Sequence, residues 1–193
     1  MSGDWGEKRE AQEYLTLLVL GAAPDKTISM LHLEKEVFLL WDFHPIVKDL
    51  MHFIAHYRGP YAREITNIIR TPTFIEDCWE YIPPKKGDDL SGGFVRLTEE
   101  GVKAYEKHYQ LMIKEEELRS LLAGIKIVRT VYDDIPLEEL LLLIYDTYPE
   151  YTAKSEVAQR LYDKRELLAD RLLKKGMVSE ERAEYLKKGE WRK

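Results

Sequence analysis

The chain is poorest in cysteine: Cys78 stands alone among 193 residues. One thiol excludes an internal disulfide and any all-cysteine metal cage, and it suits a reducing compartment. No base lies beside it in sequence, so Cys78 reads as a small buried hydrophobe. Long apolar runs are missing as well. "YLTLLVLGAA" is too short to span a bilayer and gives way to "PDKTIS", and the opening "MSGDWGEKREAQEY" is charged where a secretory leader needs an apolar stretch. These absences predict a cytoplasmic protein with no membrane attachment. Bases are outnumbered too: 29 Lys and Arg face 35 Asp and Glu, a net charge of −6 with a pI near 5.5. No global positive field draws such a chain to nucleic acid, so any contact of that kind has to be local.

Chemistry-bearing motifs are equally scarce. No "GxSxG" elbow, phosphate-binding glycine loop or dinucleotide fingerprint occurs, and carboxylates such as those of "KEEEL" sit on patterns that read as solvated helix faces. The sequence therefore predicts no enzyme activity, no catalytic residue and no cofactor. His52 and His56 are four apart and could meet a metal from one helix face, with His44 or Glu64 as a third ligand. "HFIAH" lacks the glutamate that follows the first histidine in metalloprotease helices, so the expectation is two ordinary histidines and no metal.

What the sequence does have is helical periodicity. Tyr14, Leu17, Leu18 and Gly21 recur at helical spacing before Pro24, and Ser29 is placed to cap a second helix bearing Leu33, Val37 and Leu40. After His44-Pro45, "IVKDLMHFIAHY" offers Ile46, Leu50, Phe53, Ile54 and Tyr57 as a third helical run. Gly59-Pro60 breaks it, and Pro60, with φ suited to a first helical turn, predicts a helix from there to about Arg70. β-favouring residues then flank a tip rich in Pro, Lys, Gly and Asp, which predicts antiparallel pairing of residues near 78 to 82 with residues near 93 to 97. Thr98 caps the helix that follows. From Asp134 onward the pattern is helical throughout, with Leu161, Leu168 and Leu172 on one stripe. "LLLLIYDTYPEY" reads as core. The expected organisation is a domain over 1–133 and a helical C-terminal extension over 134–193 packed on it. The fold class is mainly α with a small β-hairpin.

Helix, helix, tight turn, helix, two strands with a basic tip and a capped helix is the order of a winged helix-turn-helix core. In such a core the helix after the turn enters the major groove, where Arg takes guanine and Asn takes adenine by paired hydrogen bonds, while the wing meets phosphates. The DNA-binding positions are then Arg58, Tyr61, Arg63, Asn67 and Arg70, with Lys85 and Lys86 on the wing. The plainer alternative is a solvated helix face partly paired with Glu64. From His44 to Ile75, Lys48, Arg58, Arg63 and Arg70 face Asp49 and Glu64, a net of +2, and Asp88-Asp89 follow the wing lysines. Any DNA binding should therefore be weak and dependent on a homodimer, with the leucine stripe as its route.

"EKEVFLLW", "HYRGPYAREITNII", "FVRLTEEG" and "LLLLIYDTYPEYTAKS" together, spanning about Leu31 to Ser155, resemble the Panacea, or SocA-like antitoxin, group of prokaryotic proteins. The group's pattern is a lysine-containing "LQKLLFL"-like helix, a "YGPYS" turn, an "RLTEEG" junction and a "YPEYT" corner. The resemblance implies a helical domain with a winged-helix-like core and a role as antitoxin or adaptor that binds a protein, such as a toxin, without DNA contact. This chain departs from the pattern with "EKEVFLL" in the helix and with Arg58 before Gly-Pro. The turn survives both changes, but they weaken the transfer of a particular partner.

Overall fold

A computed structural model describes residues 2–88 and 91–189. Its elements in chain order are α1 (Ser2–Gly21), β1 (Ile28–Ser29), α2 (Met30–Phe43), α3 (Pro45–Leu50), β2 (Ile54–His56), β3 (Gly59–Tyr61), α4 (Arg63–Arg70), β4 (Trp79–Ile82), β5 (Phe94–Leu97), α5 (Glu99–Met112), α6 (Glu116–Tyr132), α7 (Leu137–Thr147), a 3-10 helix (Pro149–Thr152), α8 (Ala158–Asp163), α9 (Arg165–Lys174) and α10 (Glu180–Lys188). The described residues are mainly helical, with two small antiparallel sheets among them. It divides into two units: Met1–Phe53 with Ala62–Asp133, and Ile54–Tyr61 with Asp134–Lys193.

In the first unit α1 is enclosed because α4, α5 and α6 all pack on it, and Leu15, Leu17, Leu18, Val19 and Leu20 are all buried. The Ser29 side chain accepts the backbone N–H of His32 at 3.2 Å, the cap expected for α2. β1 lies beside β5 and β5 beside β4, so the sheet order is β1–β5–β4. Trp79 pairs with Leu97 and Ile82 with Phe94, as the hairpin pattern predicts. The alternation is clean: Trp79 and Val95 are buried, while Glu80, Phe94 and Arg96 are exposed. Thr98 caps α5 by accepting from the Gly101 N–H at 3.0 Å, and its hydroxyl donates to the Asp77 carbonyl at 2.5 Å. Cys78 is buried, and burial pushes its thiol pKa up, as befits an inert core thiol.

The third helical run does not form as expected. α3 ends at Leu50, and Ile54, Ala55 and His56 pair antiparallel with Tyr61, Pro60 and Gly59. Gly59 has φ of +89°, and Asp77 is the one non-glycine residue with positive φ among the described residues, so Tyr57 and Arg58 make an ordinary turn with Gly59 as its left-handed last residue. A residue ahead of proline also disfavours the helical region. Pro60 is therefore in a strand, and the helix begins at Arg63 instead.

This hairpin belongs to the second unit, where β2 and β3 both pack on the 3-10 helix of the "YPEYT" corner. A Cβ on Gly59 would stand 3.1 Å from Leu141 and 3.2 Å from the Tyr145 ring, so position 59 also requires close approach. Tyr145 is fully buried and its hydroxyl hydrogen-bonds Ser155 Oγ at 2.7 Å. Leu140, Leu141, Leu142 and Ile144 are core, as expected of that apolar run. Leu161, Leu168 and Leu172 are at most 1% exposed. They pack inside this unit, which removes the leucine stripe as a dimer route: side chains already covered within one copy have nothing to offer a second.

Candidate interaction face on the fourth helix and the hairpin

α4 is strongly amphipathic. Ile65, Ile68 and Ile69 are buried, and the four- and three-residue spacing of Arg63, Asn67 and Arg70 leaves all three exposed. The helix is held from behind by a buried acid. Glu13 of α1 accepts the backbone N–H groups of Thr73 and Phe74, each at 2.8 Å, and of Ile75 at 3.1 Å. It also orients Arg9 at 2.9 Å, and the Arg9 guanidinium donates to the carbonyls of Thr71 at 2.8 Å and Asn67 at 3.3 Å. A cation thus caps the carbonyl end of α4, where the helix dipole favours positive charge. No sequence pattern announces this arrangement, since Glu13 and Arg9 read as an ordinary surface pair four apart.

The other predicted contact residues are dispersed. Arg70 is engaged with β4: its guanidinium lies 5.4 Å from the Tyr81 ring centroid and donates to Tyr81 Oη at 3.4 Å, and Tyr81 in turn donates to the Gly92 carbonyl at 3.0 Å. Lys85 and Lys86 are exposed at the β4–β5 tip. Beside them Asp88 accepts from the backbone N–H of Ser91 at 2.9 Å, while Asp89 lies outside the described residues. Arg58 and Tyr61 belong to the second unit, where Tyr61 stacks on His56 with ring centroids 4.6 Å apart. The +2 segment read from sequence is thus divided between two units. Within 63–97, Arg63, Arg70, Lys85, Lys86 and Arg96 face Glu64, Glu76, Asp77, Glu80, Asp88 and Asp89, five bases against six acids. Arg96 is paired with Glu80 at 2.7 Å. Next to that pair on the outer side of the sheet, Phe94 opposes Ile82 and is 37% exposed, and Phe74 after α4 is 43% exposed.

His52 and His56 do not share a helix. His52 is exposed in the irregular segment after α3, and His56 is in β2 of the other unit. The two-histidine metal pattern therefore has no helical face to rest on.

A second set of polar residues carries no sequence signal. Glu34, Lys35 and Glu36, three consecutive charges on α2, are all buried. Glu36 Oε2 accepts from Arg129 Nη1 at 2.8 Å, Arg129 Nη1 also reaches Asp133 at 2.7 Å, and Lys26 reaches Asp133 at 2.5 Å. His32 Nε2 is 3.0 Å from the Tyr132 carbonyl and 3.5 Å from Glu36 Oε1. Glu36 Oε1 and Arg129 Nε and Nη2 are buried with no hydrogen-bond partner among the described residues. Burial pushes the Glu36 pKa up to about 7 against the opposing pull of Arg129, and burial lowers that of His32. The network ties α2 to the C-terminal end of α6, a structural role that three neighbouring charges conceal in sequence.

No protein-family model matches the chain, and no curated protein matches its sequence. No helix among the described residues is long and apolar enough to cross a membrane.

Proposed function

We infer that the first unit is a winged-helix-like, non-enzymatic module that docks a protein partner through α4 and the β4–β5 hairpin, in the manner of an antitoxin or adaptor. The order α1, β1, α2, α4, β4, β5 and the sheet order β1–β5–β4 support the winged-helix part, with α3 and the 54–61 hairpin interpolated ahead of the helix that would read a groove. The observation that carries the partner class is the mixed face itself. Its described residues between 63 and 97 set five bases against five acids and leave Phe74 and Phe94 exposed, which suits protein contact and gives a phosphate backbone little net attraction.

A DNA reading keeps one observation in its favour: Arg63 and Asn67 are exposed on α4, the helix that would hold the recognition position in a winged helix. Each phosphate neutralised adds roughly one power of salt dependence, so a face with so few uncommitted bases binds weakly and only at low salt. Fluorescence anisotropy with a labelled duplex should give no saturable binding at about 0.15 M salt, and Arg63→Glu with Arg70→Glu should abolish what remains at lower salt. Tight binding by a single copy at that ionic strength, or binding indifferent to the two reversals, would restore DNA as the partner.

A further inference from the structure

α5 covers its neighbours incompletely. Gly101 is its one fully buried residue, and its inward rings Tyr105 and Tyr109 stay half-exposed. Gly21, at the end of α1, admits the Tyr105 ring directly onto the helix backbone, since a Cβ there would fall 2.1 Å from Cδ2. A cavity of about 130 Å³ lies between the end of α1 and residues of α5 and α6.

Its lining has two characters. Leu18 and Ala22 from α1 meet Leu122 and Ile125 from α6 in an aliphatic floor. Tyr105 and Tyr109 form the wall, their centroids 5.7 Å apart and their planes tilted by 42°. Lys126 is exposed where it joins the lining. Among the described residues no hydrogen bond or ion pair engages the two phenol groups or the Lys126 ammonium. An ammonium offers donors and no acceptor, and a phenol can donate as well as accept, so an anionic acceptor suits the polar edge of this lining. The apolar part calls for a ring, in offset or edge contact with the tyrosines. The volume approaches the roughly 150 Å³ of an apolar cavity that admits benzene.

We propose that this cavity binds a small aromatic carboxylate, the ring held between the aliphatic floor and the tyrosines and the carboxylate at Lys126. None of its residues lies on α4 or the β4–β5 hairpin, so its test stands apart from that of the protein-partner reading. Phenylacetate titrated into the full-length protein and followed by calorimetry should bind saturably. Phenylacetamide, which keeps the ring and loses the charge, should bind about tenfold more weakly, the scale of one charge-assisted hydrogen bond. Lys126→Met, a change at an exposed position that leaves the core intact, should weaken phenylacetate by about the same factor and leave phenylacetamide unchanged. Leu122→Trp, which fills the floor, should remove both. Failure of the wild-type protein to bind phenylacetate, equal affinity for acid and amide, or undiminished phenylacetate binding by Lys126→Met would each overturn the proposal.

Discussion

Arg129→Met should destabilise the first unit by about 3–5 kcal/mol at pH 8, the cost of leaving a buried charge without its partner. The arginine is 3% exposed and reaches both Glu36 and Asp133. Once it is gone Asp133 retains Lys26, but Glu36 retains only the neutral His32. The loss should shrink toward pH 6, because Glu36 can then take a proton and cease to be a buried anion. The sign follows from its pKa. Burial raises it from 4.5 to about 7, so the protonated form is favoured in the folded state. That contribution is complete below pH 4.5 and is lost as pH rises through 7. In the intact protein this group alone should cost up to about 3 kcal/mol across that interval, and Glu36→Gln should flatten it. Replacing both partners, with Glu36→Met and Arg129→Met together, should recover most of the stability, since a buried pair exchanged for apolar side chains is often neutral. Urea denaturation from pH 5 to 8 on the four proteins gives all of these quantities. Equal stability of Arg129→Met and wild type at pH 8 would show that the cluster is solvated and that α6 is held by packing alone.

Some of this architecture was legible and some was not, for reasons specific to each residue. Ser29, Thr98 and the 79–82 and 94–97 strands signal local chemistry, a side chain satisfying a nearby N–H or an alternation of period two, and they occur where the sequence places them. Gly59-Pro60 was misleading because proline fits both a first helical turn and an edge strand. The deciding contact, Gly59 against Leu141 and Tyr145, is some eighty residues away in the chain. The stripe of Leu161, Leu168 and Leu172 has the spacing of an interface and equally that of a core, and only burial distinguishes the two. Glu34, Lys35, Glu36 and Glu13 were hidden by their own polarity. A charge reads as surface until its partner is known, and Arg129 lies 93 positions from Glu36. For the candidate face, the four- and three-residue spacing of Arg63, Asn67 and Arg70 is enough to place them on the exposed side of α4. The engagement of Arg70 with Tyr81 and the removal of Arg58 to another unit are tertiary facts.

Gly101→Ala should destabilise the protein, although intrinsic helix propensity alone predicts a gain of about 1 kcal/mol. A Cβ at this position would lie 1.8 Å from the Cys78 carbonyl oxygen and 3.1 Å from Leu97 Cδ2. The carbonyl cannot simply yield, because it accepts the Thr98 backbone N–H at 3.1 Å and anchors the base of the hairpin. Either α5 shifts away from β5 or the cap at Thr98 opens. The expected cost is roughly 2–4 kcal/mol, in the range of overpacking against fixed backbone. Gly6→Ala in α1, where nothing lies within 4 Å, is the matched control and should be neutral or slightly stabilising. Thermal denaturation of the two variants decides between local propensity and close approach as the reason for glycine in "RLTEEG". If Gly101→Ala melts with or above wild type, the close packing of α5 on the hairpin is wrong.

The claim that α4 and the hairpin meet a protein is tested most directly by a photo-crosslinking amino acid at Asn67, which is exposed in the middle of α4, in the full-length chain within the cells that make it. Irradiation should give a discrete adduct that resists nuclease and yields to protease. Phe94→Asp should diminish it, and the same probe at exposed Lys174 of the second unit should not produce it. An adduct at Asn67 that nuclease removes, or no protein adduct at that position, would contradict the account.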